Sequence, residues 1–491
     1  MMHYSHPRLF VLVISVLVAL NACSTVRPTT TSQSETSSAN TSQTISAETT
    51  AKARTILKEA GLRMSTDATK AYSYDPPGSL NTNDKPIEFQ KKRTFVFPTA
   101  GISLSNEFDG ARLNDVRMVD DSTFIAVLVP ENAPVNYSAW YAFKVWSASA
   151  APKTIRLTLT YREARHRYVP KLSRKPSADW RSWKAIDSAA YKVHYDSAGR
   201  ETTSATLRLA VSPDTLWVSA HELFTSRDFE AWSVNLAKLP FVKKSALGTS
   251  SLGKPLIRLD IAEASPNAPC VVIVSRQHPP EHTGTLALLP FVETLAGDTP
   301  LAKEFRQRFR VFVVPCMNPD GVDAGHWRHN AHGVDLNRDW KNFNQPETRS
   351  VRDALLKMRD SLHNVFAFGI DFHTTQHDIF YTVSNPPLQT AADSAEYATN
   401  PAYKQFNENA ANRSKFVDAW LERTQALFPA YQVTISDSPR TPNGATSARW
   451  FDRELLAPSL TYEVGDETDR ELIRQIGVGS AKVLMEMLLK Q

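Results

Sequence analysis

The chain has few cysteines, with three in 491 residues. Two of them, Cys270 and Cys316, lie in apolar, β-branched runs, the first at the start of its run and the second at the end of its own. If these runs form parallel neighbouring strands, the two thiols lie at opposite sheet edges, roughly 15 Å apart and beyond disulfide reach. The sequence therefore argues against a disulfide scaffold and predicts a large apolar core, which 42% hydrophobic residues can supply.

The chain also lacks a strong charge of either sign. Its net charge is +5 and its basic residues are spread out, so we expect no nucleic acid partner. Residues Gly248 to Lys254 satisfy the first part of a phosphate-loop pattern, but Pro255 replaces the Ser or Thr that would hold magnesium. Because a strand-like run, 256–261, follows instead of a helix, we predict a hairpin turn and no nucleotide.

The N-terminus lacks an apolar run long enough to span a bilayer, which needs about 20 residues. Its run from Leu9 to Leu20 has 12 residues and follows a basic residue, as is typical of a cleaved signal peptide, here residues 1–22. The four residues that end at Cys23 resemble a bacterial lipobox. We therefore expect an exported bacterial lipoprotein, anchored to a membrane by a lipid on Cys23 at the periplasmic or outer-membrane face. Ordinary signal cleavage is the alternative.

Residues 24–50 are dominated by Ser and Thr and contain few apolar side chains. Such a stretch cannot bury enough surface to fold. We expect residues 23–60 to form a tether between the lipid and a globular body, and a coil as long as residues 24–50 has an end-to-end distance of roughly 30 Å. A disordered tail without an anchor would have the same composition.

Strand-like runs follow one another without helices between about residues 93 and 211. They alternate apolar and polar residues and span 93–97, 123–129, 139–145, 154–160 and 205–211. Alternation and short spacing predict an all-β sandwich, which we assign to residues 61–214.

From residue 215 to residue 491 strand-like and helix-like runs alternate. Candidate helices span 227–239, 347–361 and 471–489. This alternation predicts an α/β domain, with helices packed on a central sheet.

Two strand-like runs of this second region end in residues that can bind a metal. His278 and Glu281 follow the run 270–275, and His373 follows the run 366–370. Two imidazoles and one carboxylate, with a fourth position left open, are a common donor set for a catalytic zinc ion. Ligands of open α/β sheets bind at the carboxyl ends of the strands. The pattern therefore predicts one zinc ion per chain at this edge.

Glu463 closes a further strand-like run. A lone carboxylate beside a zinc-bound water is the expected general base and proton shuttle, so the predicted chemistry is hydrolysis. His326, His329 and His332 are spaced like a second metal cluster, but they lie in a segment bounded by glycines. Such a segment is not expected to form a regular helix, so the spacing does not place the three side chains on one face.

Three motifs, Arg276–Glu281, Asn318–Val322 and Gly333–Arg338, resemble the zinc carboxypeptidase family and, more closely, its cytosolic-carboxypeptidase-like branch. The resemblance covers roughly the C-terminal half of the chain. It implies an α/β fold in which helices flank a mixed central sheet. The stretch Asn136–Phe143 resembles, more loosely, the β-domain that precedes the catalytic domain in the same branch.

The resemblance also assigns roles to individual residues. It implies that the zinc ligands are His278, Glu281 and His373, and that Glu463 acts on the water. Arg328 would stabilise the oxyanion, while Asn337 and Arg338 would hold the free C-terminal carboxylate of a peptide substrate. Asp335 would accept a hydrogen bond from the first zinc histidine.

One position departs from the family pattern, and a second position has two possible roles. The family usually has a Tyr nine residues before a Trp in the segment that leads to the catalytic Glu, but here Thr441 stands nine residues before Trp450. A mobile phenol cap is therefore not expected at that position. Arg449 lies in the segment that lines the side-chain pocket in related enzymes, where it would favour acidic C-terminal residues. Exposure to solvent or pairing with Asp452 is the alternative.

The sequence therefore predicts a zinc-dependent metallocarboxypeptidase that hydrolyses the C-terminal peptide bond of peptides. Cell-wall (murein) peptides are an alternative substrate, because the export signal would place the enzyme where they occur, and trimming of glutamate chains is another. A non-catalytic surface binding protein that retains the metal site only as a relic is the alternative from a different class.

Overall fold

The computed structural model describes Lys52, residues 81–387 except 134, 137 and 201, and residues 409–431, 433–440 and 444–491. The predicted signal peptide, Cys23, most of the predicted tether and Thr441 lie outside the described residues. Export and lipid anchoring therefore stay predictions. Within the described ranges no helix is both long and apolar enough to cross a membrane.

Eleven strands form between residues 94 and 219 of the described chain. They are β1 (Thr94–Phe97), β2 (Ile102–Ser105), β3 (Asp115–Asp120), β4 (Thr123–Leu128), β5 (Ala142–Ser147), β6 (Lys153–Tyr161), β7 (Lys171–Ser173), β8 (Lys184–Ala185), β9 (Tyr191–Tyr195), β10 (Thr202–Val211) and β11 (Leu216–Ser219). They make a six-stranded sheet, in the order β1-β2-β5-β11-β7-β8, and a five-stranded sheet, in the order β3-β4-β6-β10-β9. Because β11 pairs with β5 and β7, these sheets extend past the boundary at residue 214 that the sequence predicts.

The two sheets form a sandwich around one apolar core, to which alternate residues of most of their strands contribute. In β6, for example, Ile155, Leu157 and Leu159 are buried, whereas Arg156 and Thr158 between them are partly exposed. This period of two is the pattern from which the sandwich is predicted. The β-rich architecture of the N-terminal part is thus confirmed.

A larger sheet follows. Its strands are β12 (Val242–Thr249), β13 (Pro255–Ile261), β14 (Cys270–Ser275), β15 (Arg310–Val314), β16 (Phe366–Thr375), β17 (Ile379–Pro387), β18 (Thr434–Arg440) and β19 (Ser459–Gly465). The eight strands are ordered β12-β13-β15-β14-β16-β19-β17-β18. The central four run parallel, whereas β13 and β17 are antiparallel to their inner neighbours. The predicted mixed sheet is therefore confirmed.

Helices cover both faces of this sheet. The described ones are α1 (Ser226–Leu236), α2 (His282–Leu295), α3 (Pro300–Arg308), α4 (Pro319–Ala324), α5 (Pro346–Ser361), α6 (Ala410–Leu427), α7 (Ser447–Glu454) and α8 (Arg470–Leu489). Every residue of β14 is buried. Val271 and Ile273 belong to the core shared with α2 and α8, whereas Val272 and Val274 belong to the core shared with α5 and α7. Burial on both faces explains why this strand is apolar throughout.

Three predicted helices and a predicted hairpin are present in this part of the chain. The helices predicted at 347–361 and 471–489 form as α5 and α8. The helix predicted at 227–239 is shorter, and Thr225 rather than Ser226 caps it, in a capping box with Asp228. The segment 250–254 joins β12 and β13 as an antiparallel hairpin, as predicted. Cys270 and Cys316 are both buried and free.

Candidate functional site

The segment between β14 and α2 carries two of the predicted metal ligands. His278 and Glu281 lie on the turn that leaves the carboxyl end of a central strand, and both side chains are buried. Glu281 occupies the N-cap of α2, where the helix dipole favours negative charge. The local fold thus places an imidazole and a carboxylate at one edge of the sheet.

His373 reaches the same edge from β16, which runs parallel to β14 and β19. Helix α2 approaches its backbone closely at Gly284, where a Cβ atom would lie 2.5 Å from the carbonyl oxygen of His373. Only glycine permits this approach. In the register of β16 with β19, His373 lies opposite Glu463. The topology therefore brings the metal-binding residues and the predicted base together.

The three predicted zinc ligands converge on one point. Nδ1 of His278 lies 2.7 Å from one carboxylate oxygen of Glu281, and Nδ1 of His373 lies 2.6 Å from the other. One donor atom from each residue lies within 4.8 Å of the other two. Zinc takes such nitrogen and oxygen donors at about 2.0–2.2 Å and leaves room for a fourth ligand in catalytic sites. These residues fit a zinc ion.

Each histidine is held through its other ring nitrogen. Nε2 of His278 lies 2.9 Å from Oδ1 of Asp335, and Nε2 of His373 lies 2.7 Å from Oδ2 of Asp371. Carboxylates in this position fix the orientation of the ring and raise the basicity of the metal-binding nitrogen. Burial lowers the pKa of His373, but Asp371 and Glu281 raise it well above its ordinary value. The surroundings therefore favour positive charge at this point.

Asp371 is a site residue that the sequence analysis missed. Its buried carboxylate accepts hydrogen bonds from Nε2 of Gln277, 2.6 Å away, and from the hydroxyl of Ser447. It lies two residues before His373 on the same strand, so both side chains lie on one face of the sheet. A second polar residue two positions before a predicted metal ligand was the sequence signal that could have identified Asp371.

Arg328 lies beside the metal-binding residues and shares a partner with them. Its Nε and Nη2 atoms each lie 2.7 Å from Oδ2 of Asp335, whose other oxygen contacts His278. Burial alone would raise the pKa of Asp335, but the charges of Arg328 and His278 hold it well below its usual range. An ionised Asp335 thus orients the histidine and the arginine together.

Glu463 differs from the other two carboxylates predicted for the site, Glu281 and Asp335, whose oxygens contact the histidines and Arg328. Its Oε2 atom is buried and, within the described residues, has no hydrogen-bond partner. Burial and the negative charge of Glu281 raise its pKa to about 7, against the opposing charges of His373, His278 and Arg328. A carboxyl group with such a pKa can both take up and release a proton near neutral pH.

Several of these groups line one cavity of about 610 Å³. The α/β half contributes the predicted residues His278, Glu281, Arg328, Asn337, Arg338, Arg449 and Glu463, and the sandwich contributes Val135, Asn136, Ser138, Arg165 and Arg167. The participation of the sandwich was not predicted from the sequence. The cavity is thus walled by both halves.

Asn337 and Arg338 lie in the short 3-10 turn Leu336–Arg338. The Asn337 side chain accepts a hydrogen bond from the backbone N–H of Ser447 at 3.0 Å, and its amide nitrogen lies 3.2 Å from Nε2 of His373. Nη1 of the half-buried Arg338 donates to the carbonyl oxygen of Asn337 at 3.0 Å. The structure therefore brings both predicted substrate-binding residues to the metal-binding residues.

Arg449 is half-buried and lines the same cavity. Its pKa is lowered, first by burial and then by the positive charge of Arg338. Asp452, the alternative partner considered from the sequence, is buried and forms an ion pair of 2.8 Å with Arg413. Arg449 thus lines the cavity and also feels the charge of Asp452, which raises its pKa, so its position agrees with both interpretations.

The three histidines spaced three residues apart do not form a second metal site. Nδ1 of His326 contacts the carbonyl oxygen of His329, Nδ1 of His329 contacts Asn132, and Nδ1 of His332 contacts Gln345. Across the described part of the chain, the group of His278, Glu281 and His373 is the one with metal-binding geometry.

A sequence model of the zinc carboxypeptidase family matches residues 230–477, about half of the chain. Cytosolic carboxypeptidase 2 of Xenopus tropicalis is 30% identical over 166 residues, which are 29% of this chain and 17% of that protein. An uncharacterised protein of Zymomonas mobilis is 23% identical over 362 residues, which are 70% of this chain and 90% of that protein. The matched part is thus a small share of the Xenopus protein.

Two solved structures share the fold. A metallo-carboxypeptidase from Burkholderia cenocepacia is 19% identical with a TM-score of 0.61, and the alignment covers 79% of this chain and 99% of that one. A metallo-carboxypeptidase from Pseudomonas aeruginosa, in complex with (2-guanidinoethylmercapto)succinic acid, is 16% identical with a TM-score of 0.57 and the same coverage. The shared fold extends beyond the half that the family model matches. These matches confirm the resemblance predicted from the motifs.

Proposed function

The chain belongs to the zinc carboxypeptidase family, and from this membership we propose that it is a zinc-dependent metallocarboxypeptidase that removes C-terminal residues from peptides. One observation carries the proposal: potential metal donors, a base and guanidinium groups line a single cavity. The residues are His278, Glu281, Glu463, Arg328 and Arg338. The third metal donor, His373, lies behind them in contact with Glu281. Hydrolysis of a peptide bond next to a free carboxylate needs these three kinds of group.

Glu463 acts first as the general base and then as the proton carrier. It takes a proton from the attacking water as the water oxygen bonds to the scissile carbonyl carbon, and it passes that proton to the amide nitrogen as the C–N bond breaks. Its buried Oε2 atom has no hydrogen-bond partner within the described residues, so this oxygen is available to accept the proton. Zinc, held by His278, Glu281 and His373, would supply polarisation of the carbonyl and a lowered pKa of the water.

Arg328 meets the negative charge that develops on the carbonyl oxygen. Because Asp335 holds two of its nitrogen atoms, the guanidinium group is oriented before substrate binds. Arg338, with Asn337, holds the terminal carboxylate of the substrate, since a planar guanidinium group pairs with both oxygens of a carboxylate. Recognition of a chain end makes the enzyme an exopeptidase.

A preference for acidic C-terminal residues is a finer proposal for the same site. Arg449 lines the cavity together with Arg338, and the charge of Arg338 lowers the pKa of Arg449 whereas that of Asp452 raises it. An acidic side chain would relieve the repulsion between the two guanidinium groups. Glutamate-rich chain ends are therefore favoured over neutral ones, and Arg449→Gln should reduce that preference.

The test is a peptide library with varied C-terminal residues, including acidic ends and murein stem peptides, read by mass spectrometry with zinc-loaded protein. We expect the wild type to release single C-terminal residues. Glu463→Gln should keep zinc and lose about 10²–10⁴-fold in kcat; full activity of that variant would overturn the role of Glu463. Cleavage of murein stems alone would assign the alternative substrate, and zinc binding without any cleavage would favour the non-catalytic binding protein.

Export and membrane anchoring are a separate proposal, supported by the apolar run from Leu9 to Leu20 and by Cys23. Cys23→Ala should abolish incorporation of labelled fatty acid and release the protein from the membrane fraction. The anchor would be overturned if the variant stayed in the membrane fraction and the wild type carried no lipid.

A further inference from the structure

The β-sandwich holds the segment that carries Arg328. Trp327 is fully buried in the sandwich core, and its indole N–H donates a hydrogen bond to the carbonyl oxygen of Trp140, 2.9 Å away. Further along, the side chain of Asn132 donates to the carbonyl oxygen of Gly333 at 3.1 Å. Contacts on both sides of Arg328 thus come from outside the α/β half.

Glu131, in the loop that follows β4, makes the most direct of these contacts. Its carboxylate accepts three consecutive backbone N–H groups: Oε2 accepts from Trp327 at 2.7 Å, and Oε1 accepts from Arg328 at 2.9 Å and from His329 at 2.8 Å. The Glu131 side chain is fully buried. Successive backbone N–H groups form a concavity that binds anions, and hydrogen bonds to an ionised acceptor are about twice as strong as neutral ones.

Nearby positive charge keeps this carboxylate ionised. Arg112 is buried, its Nε donates to the carbonyl oxygen of Val129 at 2.7 Å, and neither of its Nη atoms has a hydrogen-bond partner within the described residues. Burial raises the pKa of Glu131, but the hydrogen bond to His329 and the charge of Arg112 are among the causes that lower it well below its usual range. The contact is therefore between an anion and three N–H donors.

We propose that Glu131 is a positioning residue for Arg328, through which the β-sandwich completes the active site. The inference rests on the proposed function, in which Arg328 meets the developing oxyanion. Asp335 holds the guanidinium end of Arg328 and Glu131 holds its backbone, so two carboxylates fix the side chain at both ends. A displacement of a catalytic group by about 1 Å lowers turnover about 100-fold.

Glu131→Gln tests this arrangement in the full-length, zinc-loaded protein. The substitution removes the charge and turns an amide NH₂ group toward backbone donors, so at least one of the three hydrogen bonds is lost. We expect kcat to fall about 10- to 100-fold, with KM within about twofold, because Arg328 acts in the transition state. The zinc content should be unchanged.

A double-mutant cycle separates positioning from a general structural role. If Glu131 acts through Arg328, Glu131→Gln should lower kcat less than about twofold when Arg328 is already Ala. An equal loss in both backgrounds would overturn the proposal, as would wild-type kcat in the Glu131→Gln single variant. Glu107→Gln is the matched control, because Glu107 is an exposed sandwich carboxylate that accepts from Thr94 instead, and it should leave kcat unchanged.

Two further measurements cover the other outcomes. If Glu131→Gln does not fold, Glu131→Asp keeps the charge with a shorter reach and is subjected to the same cycle. Amide hydrogen exchange should be faster at residues 327–329 in either variant than in the wild type, and unchanged exchange there would overturn the contact itself. An inactive wild type would contradict the proposed function, whereas an active wild type with additive variants would contradict only the role of Glu131.

Discussion

The two walls of the active-site cavity supply different chemistry. The edge of the eight-stranded sheet contributes the proposed metal donors and the proposed base, such as His278, Glu281 and Glu463. The described lining residues of the sandwich include no histidine and no carboxylate; they are Val135, Asn136, Ser138, Arg165 and Arg167. In the proposed mechanism, bond making and breaking thus belong to the sheet edge, whereas the sandwich wall is suited to holding polar or negatively charged parts of a substrate.

Although their chemistry differs, the two walls are joined by ion pairs. Arg167 of the sandwich donates two hydrogen bonds, of 2.7 and 3.0 Å, to Asp466, which lies three residues after Glu463. Lys171 pairs with Glu467 at 2.7 Å. The strand that carries the proposed base is therefore tied to the sandwich at its end. A wall without proposed catalytic groups can thus still determine where those groups lie.

The largest expected effect comes from breaking this connection with Arg167→Gln. The ion pair is nearly inaccessible, with side-chain exposures of 8% and 7%, so the substitution leaves a buried charge on Asp466. We expect the free energy of unfolding at pH 7 to fall by about 3–5 kcal/mol, measured by urea denaturation. Arg181→Gln, at an exposed pair with Asp179, is the control and should change it by less than about 1 kcal/mol.

The pH dependence of that loss has a definite sign. Burial raises the pKa of Asp466, but Arg167 and His221 lower it below its ordinary value overall. A carboxylate with a depressed pKa stabilises the fold above its unfolded pKa, about 3.9, and loses this contribution as the pH falls through the folded pKa. The difference between wild type and Arg167→Gln should therefore shrink below about pH 4. A difference that grows in acid would contradict the assignment to Asp466.

A smaller effect, confined to the sheet edge, is expected for Asp371→Asn. The neutral amide holds the His373 ring more weakly and no longer raises its basicity, so zinc affinity should fall about 10- to 100-fold. Competition with a chelator measures this change directly. Asp353→Asn, on the exposed part of α5, should leave affinity unchanged. Equal zinc affinity in wild type and Asp371→Asn would show that the carboxylate does not support the metal site.

The sequence predicts those parts of the fold and site whose residues are close together in the chain. His278, Glu281 and Asp335 belong to short motifs, and the parallel strands are continuous apolar runs that end in polar residues. The strands β2, β3, β7, β8, β9 and β11 were not predicted. In β8, which has two residues, both are exposed, so neither apolar alternation nor length marks it as a strand.

The contribution of the sandwich to the site could not be predicted for a different reason. Glu131 contacts Trp327 across 196 residues of sequence, and Arg167 contacts Asp466 across 299. A single carboxylate or guanidinium group in a loop has no periodicity and no motif. Its role depends on which backbone N–H groups or charges the tertiary fold brings to it, and local patterns contain no information on that.

The smallest expected effect tests whether the sandwich wall contacts substrate. Arg165 is half-buried and lines the cavity from the sandwich, whereas Arg162 is exposed on the same segment. For peptides with acidic residues before the C-terminal one, Arg165→Gln should raise KM about two- to fivefold and leave kcat unchanged, because a partly exposed ion pair contributes at most about 1 kcal/mol. Arg162→Gln should change neither. If both variants keep the wild-type KM for acidic and neutral peptides alike, the sandwich acts on catalysis only through its hold on Arg328 and on the strand that carries Glu463.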